Sequence, residues 1–192
     1  MKKIAAFFLS LLLLCSILCG CNPIEKITDK GYKMGTISED GWYSSWIGLQ
    51  YKPSGSMRMV SDQKLDEMLG EDKANSVAEM GAESQSGNSV LVWVEQVSEN
   101  QTINQYLNTL KSDLRDGEAS VKFSSATSQD VGDICFTRLD ATLTYKHNIA
   151  DFVCKMTYLV AKKEDRMIVI SCFYGNSETV DPILSGFSAY NS

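Results

Sequence analysis

At 192 residues, with 44% hydrophobic residues and a formal net charge of −6, the chain is long enough for one domain with a real core. The acidic balance argues against a nucleic-acid binder, whose affinity comes from basic contacts to phosphate, and against a polybasic patch for anionic lipid.

Lys2 and Lys3 open the chain, and residues 4–18 follow with only Ser10 and Ser16 as polar interruptions. A basic start before a short apolar run predicts a secretory signal peptide. A run of about 15 residues falls short of the roughly 20 that a membrane-spanning helix needs. Leu18-Cys19-Gly20-Cys21 resembles the bacterial lipobox, in which a branched apolar residue and two small residues precede a cysteine. That resemblance implies that the Cys21 thiol takes a diacylglyceryl group, that the signal (1–20) is cut just before it, and that the new amine is open to acylation. A signal cut elsewhere and a retained anchor helix are the other readings. Two or more acyl chains, at about 0.8 kcal/mol per buried methylene, would hold a domain at a bilayer where one would not. Loss of Lys2 and Lys3 leaves 16 of the 18 basic residues against 24 acidic ones.

Residues 21–34 carry Pro23, Gly31 and several charges with weak periodicity, and read as a tether. One domain is expected over 35–192. Residues 35–38 and 45–51 suggest a hairpin, with Glu39-Asp40-Gly41 as its turn, and Pro53-Ser54-Gly55 ends it. Ser61 can cap a short helix whose Leu65, Met68 and Leu69 share a face. Residues 70–88 are polar, with Gly81 and Gly87, and read as helix remnant and loop. Residues 89–97 form a nearly continuous apolar run, as in a strand covered on both faces. In 102–116, Ile103, Tyr106, Leu107, Leu110 and Leu114 keep helical spacing behind a Thr102 cap, and Gly117 closes the helix. A weaker strand follows at 119–125, then a turn at 130–133.

Residues 134–174 organise the rest. Period-two alternation marks three long strands, 134–145, 152–161 and 167–174, joined by short polar turns at 146–151 and 162–166. Cys135, Cys154 and Cys172 all fall on the apolar parity of these strands, so all three are expected on one side of the sheet. Three buried free thiols, one disulfide with a leftover thiol, and a metal site are the alternatives. A last helix is expected behind Ser177, with Val180, Ile183, Leu184 and Phe187 as its stripe and Pro182 in its first turn. Long antiparallel strands with helices to cover them make an α+β sandwich.

Tyr43-Ser44-Ser45-Trp46-Ile47-Gly48-Leu49-Gln50-Tyr51-Lys52-Pro53, then the helix behind Ser61, the strand 89–97 and the Thr102-Ile103-Asn104-Gln105-Tyr106-Leu107 helix start recur in this order in small lipoproteins of Gram-positive gut bacteria. Over about 35–190 the chain resembles the Mog1/PsbP-like α/β/α sandwich. The resemblance implies an antiparallel sheet flanked by helices. Members of that fold support the oxygen-evolving side of photosystem II or bind a nuclear GTPase, and no functional residue transfers from them to these positions.

Chemistry is sparse. His147 sits between Lys146 and Asn148 in a hairpin loop, as a solvated turn residue or, less simply, a catalytic base. Gly-x-Ser-x-Gly, HExxH, Walker A and GxGxxG are missing. Asp62 with Asp66, and Glu67 with Glu71, stand at i, i+4 and could work as acid and base or hold calcium, but a helix dipole and a wet face account for them. Asn100-Gln101-Thr102 fits a glycosylation sequon and a helix cap. Trp42, Tyr43 and Trp46 cluster in the first hairpin, and with Trp93 could line a groove for sugar or peptide. No cofactor or metal is expected. The reading is a non-enzymatic extracytoplasmic lipoprotein, anchored to the cell membrane through Cys21, that binds a partner protein or organises an envelope complex. A small-molecule or glycan binder using the aromatic hairpin, and an envelope hydrolase using His147 or a carboxylate pair, are the alternatives.

Overall fold

Two antiparallel sheets and three helices are built from residues 31–70 and 75–191, which are the residues described by the computed structural model. A small sheet joins β1 (Thr36–Ser38), β2 (Gly41–Ser44), β3 (Leu49–Tyr51) and, from the far end of the chain, β12 (Phe187–Ala189), in that order. The large sheet runs β4 (Arg58–Met59), β5 (Ser76–Glu83), β6 (Ser89–Gln96), β11 (Arg166–Gly175), β10 (Phe152–Lys163), β9 (Ile134–Tyr145) and β7 (Ser120–Phe123), and β8 (Thr127–Val131) pairs with the first part of β9. The helices are α1 (Asp62–Leu69), α2 (Ile103–Asp116) and the single turn α3 (Asp181–Leu184). The signal, Cys21 and most of the tether lie outside the described residues.

The meander forms at the centre of the large sheet, as alternation predicts. Its second turn is tighter than expected: Lys163 pairs with Arg166, so Glu164-Asp165 make a two-residue turn with Glu164 at φ 56°, the left-handed conformation that such turns require. Both expected helix caps are present. Ser61 Oγ accepts from Lys64 N at 3.4 Å. Thr102 Oγ1 accepts from Gln105 N at 3.2 Å, while Gln105 Oε1 accepts from Thr102 N at 2.8 Å, which satisfies two orphan donors reciprocally.

Five local expectations change. The stretch 70–88 contains β5, hidden in the sequence because a register shift between Ala78 and Met80 breaks the alternation and because the strand buries Glu79. The first hairpin closes with Gly41–Ser44; residues 45–48 turn, and only Leu49–Tyr51 form the next strand. β8 replaces part of what reads as turn. The last helix is one turn with no side-chain cap, and Phe187 belongs to β12. The thiols do not share a face: Cys154 pairs with Leu143 and lies on the side of Ala141 and Tyr158, whereas Cys172 pairs with Thr157 and points to the other side. Cys154 and Cys172 are buried, Cys135 is exposed, and all three are free.

Opposite faces of the large sheet bury different things. One face meets α1 and α2: Leu65, Tyr106, Leu107 and Leu110 pack with Trp93 and Tyr158 of the sheet. On the other side lies the small sheet. Glu79 Oε2 accepts from Gly35 N at 2.7 Å and from Trp42 Nε1 at 3.2 Å, and Lys163 donates to the Trp46 carbonyl. Trp42, Leu49 and Tyr51 are no more than 2% exposed.

Candidate interaction surface

The first hairpin does not gather its aromatics into one site. Neighbouring residues of a strand point to opposite faces, so Trp42 turns inward at 2% exposure while Tyr43 turns outward at 41%. Tyr43 stacks on Tyr190, with ring centroids 4.7 Å apart and planes at 21°. Trp46 lies in the following turn, half-buried, with the Lys163 ammonium 4.8 Å from its ring centroid. Trp93 belongs to the helix face of the large sheet, so a groove shared by Trp42, Trp46 and Trp93 is not formed. Trp42 instead serves the core, its indole N–H satisfied by Glu79.

His147 lies in the β9–β10 loop, where its Nδ1 accepts from Ile149 N at 3.4 Å. Asp62, Asp66 and Glu67 line the exposed side of α1, where Lys64 Nζ meets Glu67 at 3.4 Å; Glu71 lies outside the described residues. Among the described residues no three His, Cys, Asp or Glu side chains converge as metal ligands would.

The surface that the sequence hides is the end of the same hairpin. Tyr145 and Phe152 pair directly across β9 and β10, with ring centroids 6.1 Å apart. They continue the apolar parity of their strands and so read as core. In the fold, β7 pairs only as far as Thr144 and β11 only as far as Cys154, so this last rung projects past its neighbours. Phe152 is 58% exposed, Tyr145 37%, and Ile149 at the loop apex 91%. Lys146 and Asp151 bridge at 2.6 Å across the base of the loop; such an exposed pair holds shape more than it adds stability. The available sequence signal is Ile149 itself, a lone branched apolar residue in a polar loop.

No family model matches this sequence, and no curated protein does. The fold is similar to the solution structure of cyanobacterial PsbP (CyanoP) from Synechocystis, with a TM-score of 0.53 over 84% of this chain and 98% of that one, at 12% identity. It is also similar to LpqN of Mycobacterium tuberculosis, a protein described as involved in cell envelope biogenesis, with a TM-score of 0.48 over 74% of this chain and 83% of that one at 9% identity. A Bacteroides thetaiotaomicron protein matches at a TM-score of 0.45 and 7% identity, over 81% of this chain and 50% of that one. The likeness to CyanoP is one of fold: an α+β domain with PsbP-like architecture, as the sequence signatures imply.

Proposed function

We propose that this protein is a non-enzymatic, extracytoplasmic binding domain, tethered to the membrane by lipid on Cys21, that contacts an envelope protein through the end of the β9–β10 hairpin. One observation carries the contact: of five large apolar side chains exposed among the described residues, Tyr145, Ile149 and Phe152 share this hairpin end. Apolar side chains scattered singly need no explanation, but a contiguous cluster with charged neighbours matches the centre and rim of a protein interface. The anchor rests on the Leu18-Cys19-Gly20-Cys21 pattern. No helix among the described residues is long and apolar enough to cross a membrane.

Cys21→Ser should leave unprocessed precursor or move the protein out of the membrane fraction; an unchanged, detergent-requiring mature form refutes the anchor. For the contact, a photo-crosslinking residue replaces Ile149 in native membranes, with the same probe at the exposed Asn108 of α2 as control. A discrete protein adduct from position 149 alone, lost on Phe152→Glu, is the expected result. Adducts of equal yield from both positions, or adducts to lipid only, defeat the protein-contact reading.

A further inference from the structure

A hollow between α1 and α2, on the helix face of the large sheet, is independent of both the anchor and the hairpin end. Its origin is one row of the sheet. Tyr158, Ser171, Leu91 and Gly81 stand directly opposite one another across β10, β11, β6 and β5. The next row carries Val160, Val169, Trp93 and Ala78. Two members of the first row are small. Over Gly81 the space is taken, since a Cβ there would come within 2.9 Å of Val60 and 3.2 Å of Leu65 and Met68. Over Ser171 it is left open, as a cleft of about 260 Å³.

The lining has a distinct chemistry. Trp93, Leu110 and Tyr158 are buried walls, and Met156 is half-buried beside them. Ser171 is only half-buried, unlike every other residue from Arg166 to Cys172. Its hydroxyl makes no hydrogen bond among the described residues and opens into the cleft. The Tyr158 hydroxyl donates to the Met156 sulfur, at 3.7 Å, its one hydrogen-bond partner among the described residues. Burial first, and then the negative charge of Asp113, push the Tyr158 phenol up, which keeps it a neutral donor. Among the described residues Asp113 is the one charged side chain in the lining, and it sits at the exposed rim.

We infer that this cleft binds a small cationic amphiphile, a compact apolar or aromatic body carrying a protonated amine. The body fits an aromatic and thioether-lined hollow smaller than the pockets that hold drug-sized ligands. The half-exposed Ser171 hydroxyl supplies a polar contact within it. The amine is selected by Asp113, whose carboxylate repels an anionic end and attracts a cationic one, and aromatic walls add to the preference for a cation.

The test uses 2-phenylethylamine and 3-phenylpropionate, which offer similar bodies with opposite charge, titrated calorimetrically into the purified full chain in a non-ionic detergent. Parallel titrations use Asp113→Asn, a change at an exposed position, and Ser171→Leu, which fills the hollow; a melting curve verifies each fold. The amine should bind with Kd below about 1 mM, Asp113→Asn should weaken it about tenfold, and Ser171→Leu should abolish it. Absence of amine binding to the unaltered protein overturns the inference. So does equal binding by a folded Ser171→Leu, which would place the amine elsewhere or in the micelle, or equal affinity for 3-phenylpropionate. If Ser171→Leu does not fold, the Asp113→Asn comparison decides: undiminished affinity overturns the site.

Discussion

The two faces of the large sheet are buried by different means. The helix face is closed by apolar side chains from α1 and α2, which leave a gap above Ser171. On the small-sheet face polar anchors fix the register: Glu79 holds Gly35 and Trp42, and Lys163 holds the Trp46 carbonyl. Apolar packing is non-directional and tolerates a hollow, whereas a buried carboxylate must meet its donors at defined positions. The difference teaches that one face specifies how two sheets meet and the other leaves room for a ligand.

Breaking the polar anchor should have the largest effect. Glu79→Ala strands the Trp42 indole N–H and the Gly35 amide in a buried site, and should cost about 3 kcal/mol, or about 6–12 °C of melting temperature for a domain of this size. A loss below about 1 kcal/mol would mean that the anchor does not hold the sheets together. Gly132→Ala attacks the same face differently. Gly132 has φ 56°, and a Cβ there would come within 2.8 Å of Leu49 and of the Ala189 amide, so a loss of about 2 kcal/mol is expected. On the helix face, by contrast, Ser171→Leu should change stability by no more than about 1 kcal/mol, because the side chain enters space that is already empty. A loss as large as that of Glu79→Ala would erase the distinction between the faces.

Thiols sharpen the comparison at lower cost to the fold. Cys135 is exposed, Cys154 lies under the helix-face cluster, and Cys172 points to the small-sheet face. Native protein should give one equivalent of fast thiol reaction and two more on denaturation, since lipid would occupy Cys21; two fast equivalents would mean that one face opens. Burial pushes the Cys172 thiol up, against a smaller downward pull from Arg138, and burial likewise raises Cys154, Tyr51 and Tyr158. These groups fold in their neutral forms. The thiol contribution is therefore complete below the unfolded value of about 8.5 and the tyrosine contribution below about 10, and each is lost progressively as pH climbs from there toward the raised folded value. Denaturant midpoints should hold steady from pH 7 to 8 and fall above pH 9. Thr102→Ala should cost about 1 kcal/mol through loss of the α2 cap.

The same residues show why some elements are legible in sequence and others are not. Both caps, the α2 stripe and the meander follow from local chemistry: a hydroxyl three residues before its amide partner, or a side-chain period fixed by backbone geometry. β5 is illegible because its bulge breaks the period and its central residue is a glutamate, whose burial makes sense only once Trp42 and Gly35 arrive to meet it. The aromatic hairpin misleads for a related reason. Trp42, Tyr43 and Trp46 are close in sequence, yet pleat and turn send them to three environments.

By itself the sequence determined the α+β class, two capped helices and the long central meander, all of them written in caps and periods of a few residues. Only the tertiary structure decided that Cys154 and Cys172 face opposite ways, that Tyr145 and Phe152 overrun the sheet into solvent, and that Ser171 stands beneath a hollow. Each of these depends on strand register and on where a neighbouring element stops. A one-residue shift or a shorter neighbour inverts the exposure of a side chain without changing any local pattern.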